Sequence, residues 1–234
     1  INGLSFVALV IGRLRIESRP PARATGSMGE VFKEGVAYVR HTWPVRTLIL
    51  TLAMVNLTAS AYAVLLPVFA RDIFGGDAGT LGVIWGAAGC GAFLGTVFLA
   101  HQRGHGALAG TVVVGSAISA VSVAVFALAG WMPLALVAMA GLGFGISTVN
   151  VAINMLLQSM APEALRGRVV SFFSSTRFGF DALGGLVAGL AAAWLGARYT
   201  LLLEGVVLAG FVGLLITWRH RLRAEVVAGH GAGR

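Results

Sequence analysis

The chain has 234 residues, of which 57% are hydrophobic and only 11% charged, against roughly 25% charged in ordinary soluble proteins. Its formal net charge is +8 at pH 7, and it carries a single cysteine, Cys90. These values exclude a water-surrounded globular domain and a disulfide framework within the chain. Positive charge of this size suggests nucleic acid in a soluble protein, but here membrane topology accounts for it better.

Residues 1–12 (INGLSFVALVIG) are apolar, lack a basic leading region and run directly into Arg13. A signal peptide carries its charge before the apolar core, not after it, so the segment reads as the end of a spanning helix. Residues 13–46 then form a central loop. Pro20, Pro21 and Gly26 mark a linker, and Ser27 with Glu30 makes a capping-box pattern. Met28, Val31, Phe32, Val36 and Val39 recur at helical spacing. They predict an amphipathic helix over 28–41, lying on the membrane surface or packed on the ends of the spans. Trp43-Pro44 ends it.

Six long apolar stretches follow, over residues 48–70, 80–100, 107–130, 133–160, 169–195 and 200–217. Each is near or beyond the ~20 residues a helix needs to cross a bilayer core, and uninterrupted apolar runs exclude a barrel of alternating strands. The expectation is an all-α membrane protein with a six-helix bundle over 47–218 and a disordered tail over 219–234.

Lys and Arg gather on every second connection. Arg13, Arg15, Arg19, Arg23, Lys33, Arg40, Arg46, Arg103, Arg166, Arg168, Arg219, Arg221, Arg223 and Arg234 fall on one side, fourteen against Arg71 and Arg198 on the other. By the positive-inside rule the rich side is cytoplasmic and holds the C-terminus. Trp43, Trp131, Trp194 and Trp218 fall at the expected span ends, where indoles prefer the headgroup zone.

Within the spans, Gly82/Gly86, Gly91/Gly95 and Gly185/Gly189 are small-xxx-small pairs, and Gly141, Gly143 and Gly145 crowd another helix. Such spacing lets backbones approach closely. Polar residues at depth are costlier and say more. Arg177 and Asp181 lie four apart on one face of the fifth stretch, with Asp181 near the bilayer centre. They are either a static neutralised pair or a place where Asp181 binds a proton or a cation. Asn150, Asn154 and Gln158 form a stripe along the fourth stretch, and Asn56, Thr58 and Ser60 mark the first. These groups either line a hydrated cavity or bond between helices. Glu204, close to one end of the last stretch, reads as structural. All five His lie outside the spans, which removes a histidine relay from consideration.

Nothing in the sequence marks an enzyme. There is no metal-spaced His/Cys cluster and no nucleophile beside a base, so neither metal nor cofactor is expected. No filter-like loop points to a channel.

INGLSF at residues 1–6, EGVAYVRHTWPVR at 34–46, NLTASAYAVLLPVFARDIFG at 56–75 and GISTVNVAINMLLQSMAPEALRGRVVS at 145–171 together resemble the second half of a major facilitator superfamily transporter. The likeness is greatest to the bacterial branch of enterobactin exporter-like and macrolide-efflux-like proteins. The resemblance implies twelve spans, with residues 1–12 ending the sixth and the six stretches forming the seventh to twelfth. It implies that the seventh, eighth, tenth and eleventh face a central cavity. It further implies a proton-coupled exporter of hydrophobic or amphiphilic small molecules in the inner cell membrane, working by alternating access with a six-helix N-terminal half. Candidate positions on its substrate and proton path are Asp181, Arg177, Asn150, Asn154 and Asn56. The cytoplasmic signature G-x-x-x-D-R-x-G-R-R is degraded: Val97, His101, Gln102, His105 and Gly106 occupy its marked positions around Gly104. The turn with Glu163, Arg166 and Arg168 is therefore the candidate cytoplasmic gate, or else plain positive-inside anchoring. The alternative reading is a non-transporting six-span scaffold or a transporter remnant.

Overall fold

The computed structural model describes residues 36–37, 39–102 and 104–231. Residues 1–12, the linker, most of the helix expected over 28–41, and Arg103 lie outside them; residues 36–37 and 39–41 are helical. The described residues contain six long helices and no strand: α1 Trp43–Val68, α2 Ala78–Ala100, α3 His105–Leu128, α4 Met132–Met160, α5 Arg166–Leu195 and α6 Ala197–Gly231. All six are long and apolar enough to cross a membrane. Lipid offers no hydrogen bonds to an exposed backbone, so helices that satisfy their own amides are the natural outcome of these sequences.

Local chemistry sets the helix ends. Pro44 and Pro133 sit in the first turns of α1 and α4, where a missing N–H costs nothing. Pro67 lies inside α1 and removes one amide donor there. Immediately beyond it the chain widens into a π-turn over Phe69–Ile73. Asp77 caps α2: Thr80 N donates to Asp77 Oδ1 at 3.0 Å, and Asp77 N donates back to Thr80 Oγ1 at 3.3 Å. These amides hold the exposed Asp77 carboxyl below the usual carboxylate range, with the N–H of Thr80 the main cause and that of Gly79 next. Between α5 and α6 the reversal takes one residue, Gly196, at φ +80°, a left-handed conformation suited to glycine.

Short connections make consecutive helices antiparallel, and two apolar clusters follow. One joins the start of α1 (Leu48, Leu52) to Leu108, Leu156, Val169 and Leu222. The other, at the opposite end, joins Leu66 and Phe69 to Ile84, Phe126, Met139 and Leu201. The main pairings are α2 with α4, α1 with α5, α3 with α4, and α3 with α6, followed by α1 with α6. Exchanging α1–α3 for α4–α6 maps this set onto itself, the packing signature of an inverted three-helix repeat.

Close approach occurs at only some of the glycine pairs. A Cβ on Gly91 would overlap the Ala140 carbonyl, one on Gly143 the Ala88 carbonyl, and one on Gly95 would lie 2.8 Å from Phe144 O. The α2–α4 contact therefore needs bare backbone on both sides. Gly82, Gly86 and Gly189 have nothing within 4 Å, and Gly185 meets only the Val64 side chain.

One expectation is corrected. The segment after Trp218, expected as a disordered tail, continues α6 as helix to Gly231. Leu222 and Val226 are both 0% exposed, and Val227 and Arg223 lie against Gly106 and Gly110 of α3. Burial of an i,i+4 apolar pair, plus the 2.7 Å Arg221–Glu225 bond on the outside, keeps this stretch helical despite its charges. At the same end, the Arg221 guanidinium lies 4.3 Å from the Trp43 ring centroid. Trp43 in turn meets Trp218 edge-on at 6.1 Å. These two indoles lock α1 to α6, whereas Trp194 is 89% exposed at a span end.

Candidate functional site

Two adjoining cavities, about 330 and 240 Å³, share Tyr62, Trp85, Ile146, Asn150 and Arg177. Their lining comes from α1, α2, α4 and α5, the first two helices of each three-helix group. No residue of α3 or α6 reaches either.

The floor is an amide bridge. Asn56 Nδ2 donates to Asn150 Oδ1 at 3.0 Å and also to Leu52 O, one turn back on α1, at 2.8 Å. Both residues are nearly closed off, at 4% and 5% exposure. A buried amide needs its partners, and this pair joins the first helix of each group. Above it, the Tyr62 and Trp85 rings meet at 5.5 Å between centroids, tilted by 56°. The aromatic pair gives the cavity an angled apolar wall with polar edges. On α2 and α4, Thr96 and Ser147 hydroxyls are 3.2 Å apart.

Arg177 and Asp181 supply the charge. Both are exposed on α5 and both line the smaller cavity with Tyr62 and Asn56. They do not form an ion pair with each other; the Arg177 guanidinium instead lies 5.3 Å from the centroid of the neighbouring Phe178 ring. The static-pair alternative therefore does not describe this conformation. Two opposite charges open to one cavity can each meet a partner that enters it.

The remaining candidates divide. Asn154 is not part of the lining; it accepts a 2.8 Å hydrogen bond from Gln158 Nε2 along α4. Glu163 and Arg166 are exposed on the α4–α5 turn, where Pro162 O accepts from Leu165 N at 2.9 Å, and Arg168 is half-buried beside them. This turn lies at the same end of the bundle as the α6 extension. Tyr62, Trp85 and Ser147 were not among the sequence candidates. Trp85 had a signal, being the one Trp placed away from a span end, while Tyr62 and Ser147 had none.

The fold and this cavity define a polytopic α-helical membrane protein built as one half of a major facilitator fold. The chain belongs to the transmembrane secretion effector family, which it matches over residues 1–229. It is similar to the multidrug efflux pump Tap of Mycolicibacterium fortuitum, with 30% identity over 182 residues. That match covers 74% of this chain and 44% of Tap, so the chain spans less than half the length of this curated relative.

Proposed function

We propose that the chain forms the C-terminal half of a proton-coupled exporter of hydrophobic or amphiphilic small molecules, such as drugs or siderophores, working by alternating access. One observation carries the reading: the Tyr62–Trp85 wall stands beside Arg177 and Asp181, charges that are not spent on each other. Flat apolar substrates stack on the aromatic wall. Asp181 takes up and releases the proton, and its charge state alters what Arg177 and the substrate feel across the cavity.

A second six-helix unit completes the cavity. α5 is the least buried of the six helices, and an open face bearing Arg177 and Asp181 is poorly suited to lipid. The name of the relative, a multidrug efflux pump, supports export. The Lys/Arg bias supports an inner-membrane orientation with the C-terminus cytoplasmic. In that orientation Glu163, Arg166 and Arg168 sit at the cytoplasmic mouth, where they make and break contacts with the other half as the gate closes and opens.

Asp181→Asn tests the reading. In cells expressing the intact protein, it lowers the efflux rate of a lipophilic dye more than it lowers membrane abundance. Unchanged efflux at equal abundance removes Asp181 from the proton path.

A further inference from the structure

The end of the bundle where α1 begins and α6 finishes carries positive charge that the fold does not neutralise. On α1, Arg46 stands one turn in from Trp43; on α6, Arg219, Arg221 and Arg223 follow Trp218. All four arginines are exposed. Against them, residues 43–46 and 218–226 hold one carboxylate, Glu225. It accepts from Arg221 Nε at 2.7 Å, which leaves the four terminal N–H groups of that guanidinium without a partner among the described residues. Arg46 and Arg223 form no hydrogen bond or ion pair with any described residue.

Arg221 is also held in place. Its guanidinium lies 4.3 Å from the Trp43 ring centroid, and Trp43 meets Trp218 edge-on at 6.1 Å. A guanidinium stacked on an indole and gripped at one edge by a carboxylate keeps its other edge presented outward. Indoles at span ends settle in the headgroup zone, so that edge stands at the depth of lipid phosphates. The chain just before α1 does not supply the missing negative charge: residues 13–35 carry Arg13, Arg15, Arg19, Arg23 and Lys33 against Glu17, Glu30 and Glu34. The arginines flank apolar spans, and the anion at that depth is a lipid.

We propose that the α1–α6 corner binds the headgroup of an anionic phospholipid such as phosphatidylglycerol. The free edge of Arg221 takes the phosphate, Arg46 and Arg219 add positive field, and the two indoles pack against the glycerol and upper acyl chains. The site depends on neither the transport reading nor the orientation of the chain, because binding alone is measured. Simple charge anchoring differs from it in one respect: lysine would then serve as well as arginine.

The test uses the intact protein in detergent micelles with phosphatidylglycerol bearing a diazirine near the top of one acyl chain. Light releases N2 and the carbene inserts into a neighbouring bond. Peptide mass spectrometry finds the adduct at Trp43 or Trp218. Unlabelled phosphatidylglycerol displaces it, while phosphatidylcholine and inorganic phosphate at the same concentrations do not. Arg221→Ala raises the phosphatidylglycerol concentration that halves the adduct about fivefold, the worth of one basic side chain at an anionic surface. Arg221→Lys raises it too, because an ammonium keeps the charge and lacks the planar fork. Both changes fall on an exposed side chain and leave the buried Leu222 and Val226 in place. Arg71→Ala, at a side chain 84% exposed at the opposite end, leaves it unchanged. The proposal is overturned if phosphatidylcholine or inorganic phosphate displaces the probe equally well, if either Arg221 variant matches the wild type, or if Arg71→Ala loses as much.

Discussion

The amide bridge between α1 and α4 makes the sharpest energetic prediction. Asn56→Leu and Asn150→Leu, singly and together, form a double-mutant cycle that keeps side-chain volume roughly constant. Asn56→Leu removes both the 3.0 Å bond to Asn150 and the 2.8 Å bond to Leu52 O. An orphaned buried polar group costs about 1–3 kcal/mol. Asn150 is among the residues that line the cavity, so water entering there can meet the freed carbonyl, and the Asn56 substitution falls toward the lower end of that range. The pair's own coupling is smaller. Interhelical hydrogen bonds in membranes average about 0.6 kcal/mol and reach about 1.7. That range is roughly threefold to eighteenfold in the unfolding constant. Reversible unfolding in bicelles, followed by steric trapping, measures all four corners of the cycle. A coupling within the ~0.3–0.5 kcal/mol scatter of independent sites would refute the bridge as an energetic link.

Two further predictions concern stability. Gly91→Ala pushes α2 off α4, because its Cβ has the Ala140 backbone in its way. It costs about 1–3 kcal/mol, as overpacked cores do, whereas Gly86→Ala, in open space, is neutral or stabilises by up to about 1 kcal/mol. The same unfolding assay compares them, and equal losses would sink the packing argument. At Asp77 the lowered carboxyl means that its capping contribution is present above the unfolded pKa of about 3.9. It is lost as pH falls through the still lower folded value. The melting difference between the wild type and Asp77→Ala is therefore constant near neutrality and closes in acid; a difference that persists at low pH contradicts this account.

The spans were legible because lipid imposes a length and a composition on any helix that crosses it. Their ends were less so. α6 reads as stopping at Trp218 because Arg219, Arg221 and Arg223 follow, yet Leu222 and Val226 already carry the helical spacing that buries them. Glycine spacing marks where backbones can meet without naming a partner. Gly91/Gly95 found α4, while Gly82/Gly86 found nothing. The site was read from cost, since polar side chains at depth stand out. How they pair was hidden. Arg177 and Asp181 share a face in sequence but do not join, whereas Asn56 and Asn150, far apart in the chain, do.

α3 and α6, the two helices outside the central cavity, are fastened along their length. Arg198 reaches the carbonyl of Ala129, the residue that follows α3, at one end, and Gly205 lies against Val123 and Ala124 in the turns next to it. Leu222 and Val226 hold the other end through the extension. At 1.5 Å per residue, the 35 residues of α6 make a rod of about 52 Å. Such a clamped pair is a strut of fixed length. Shape change in this half then falls on α1, α2, α4 and α5, which bend or slide against a member that does not yield. Distance probes placed between α3 and α6 are expected to stay constant through the proposed transport cycle, and provide the internal ruler against which motion elsewhere is read.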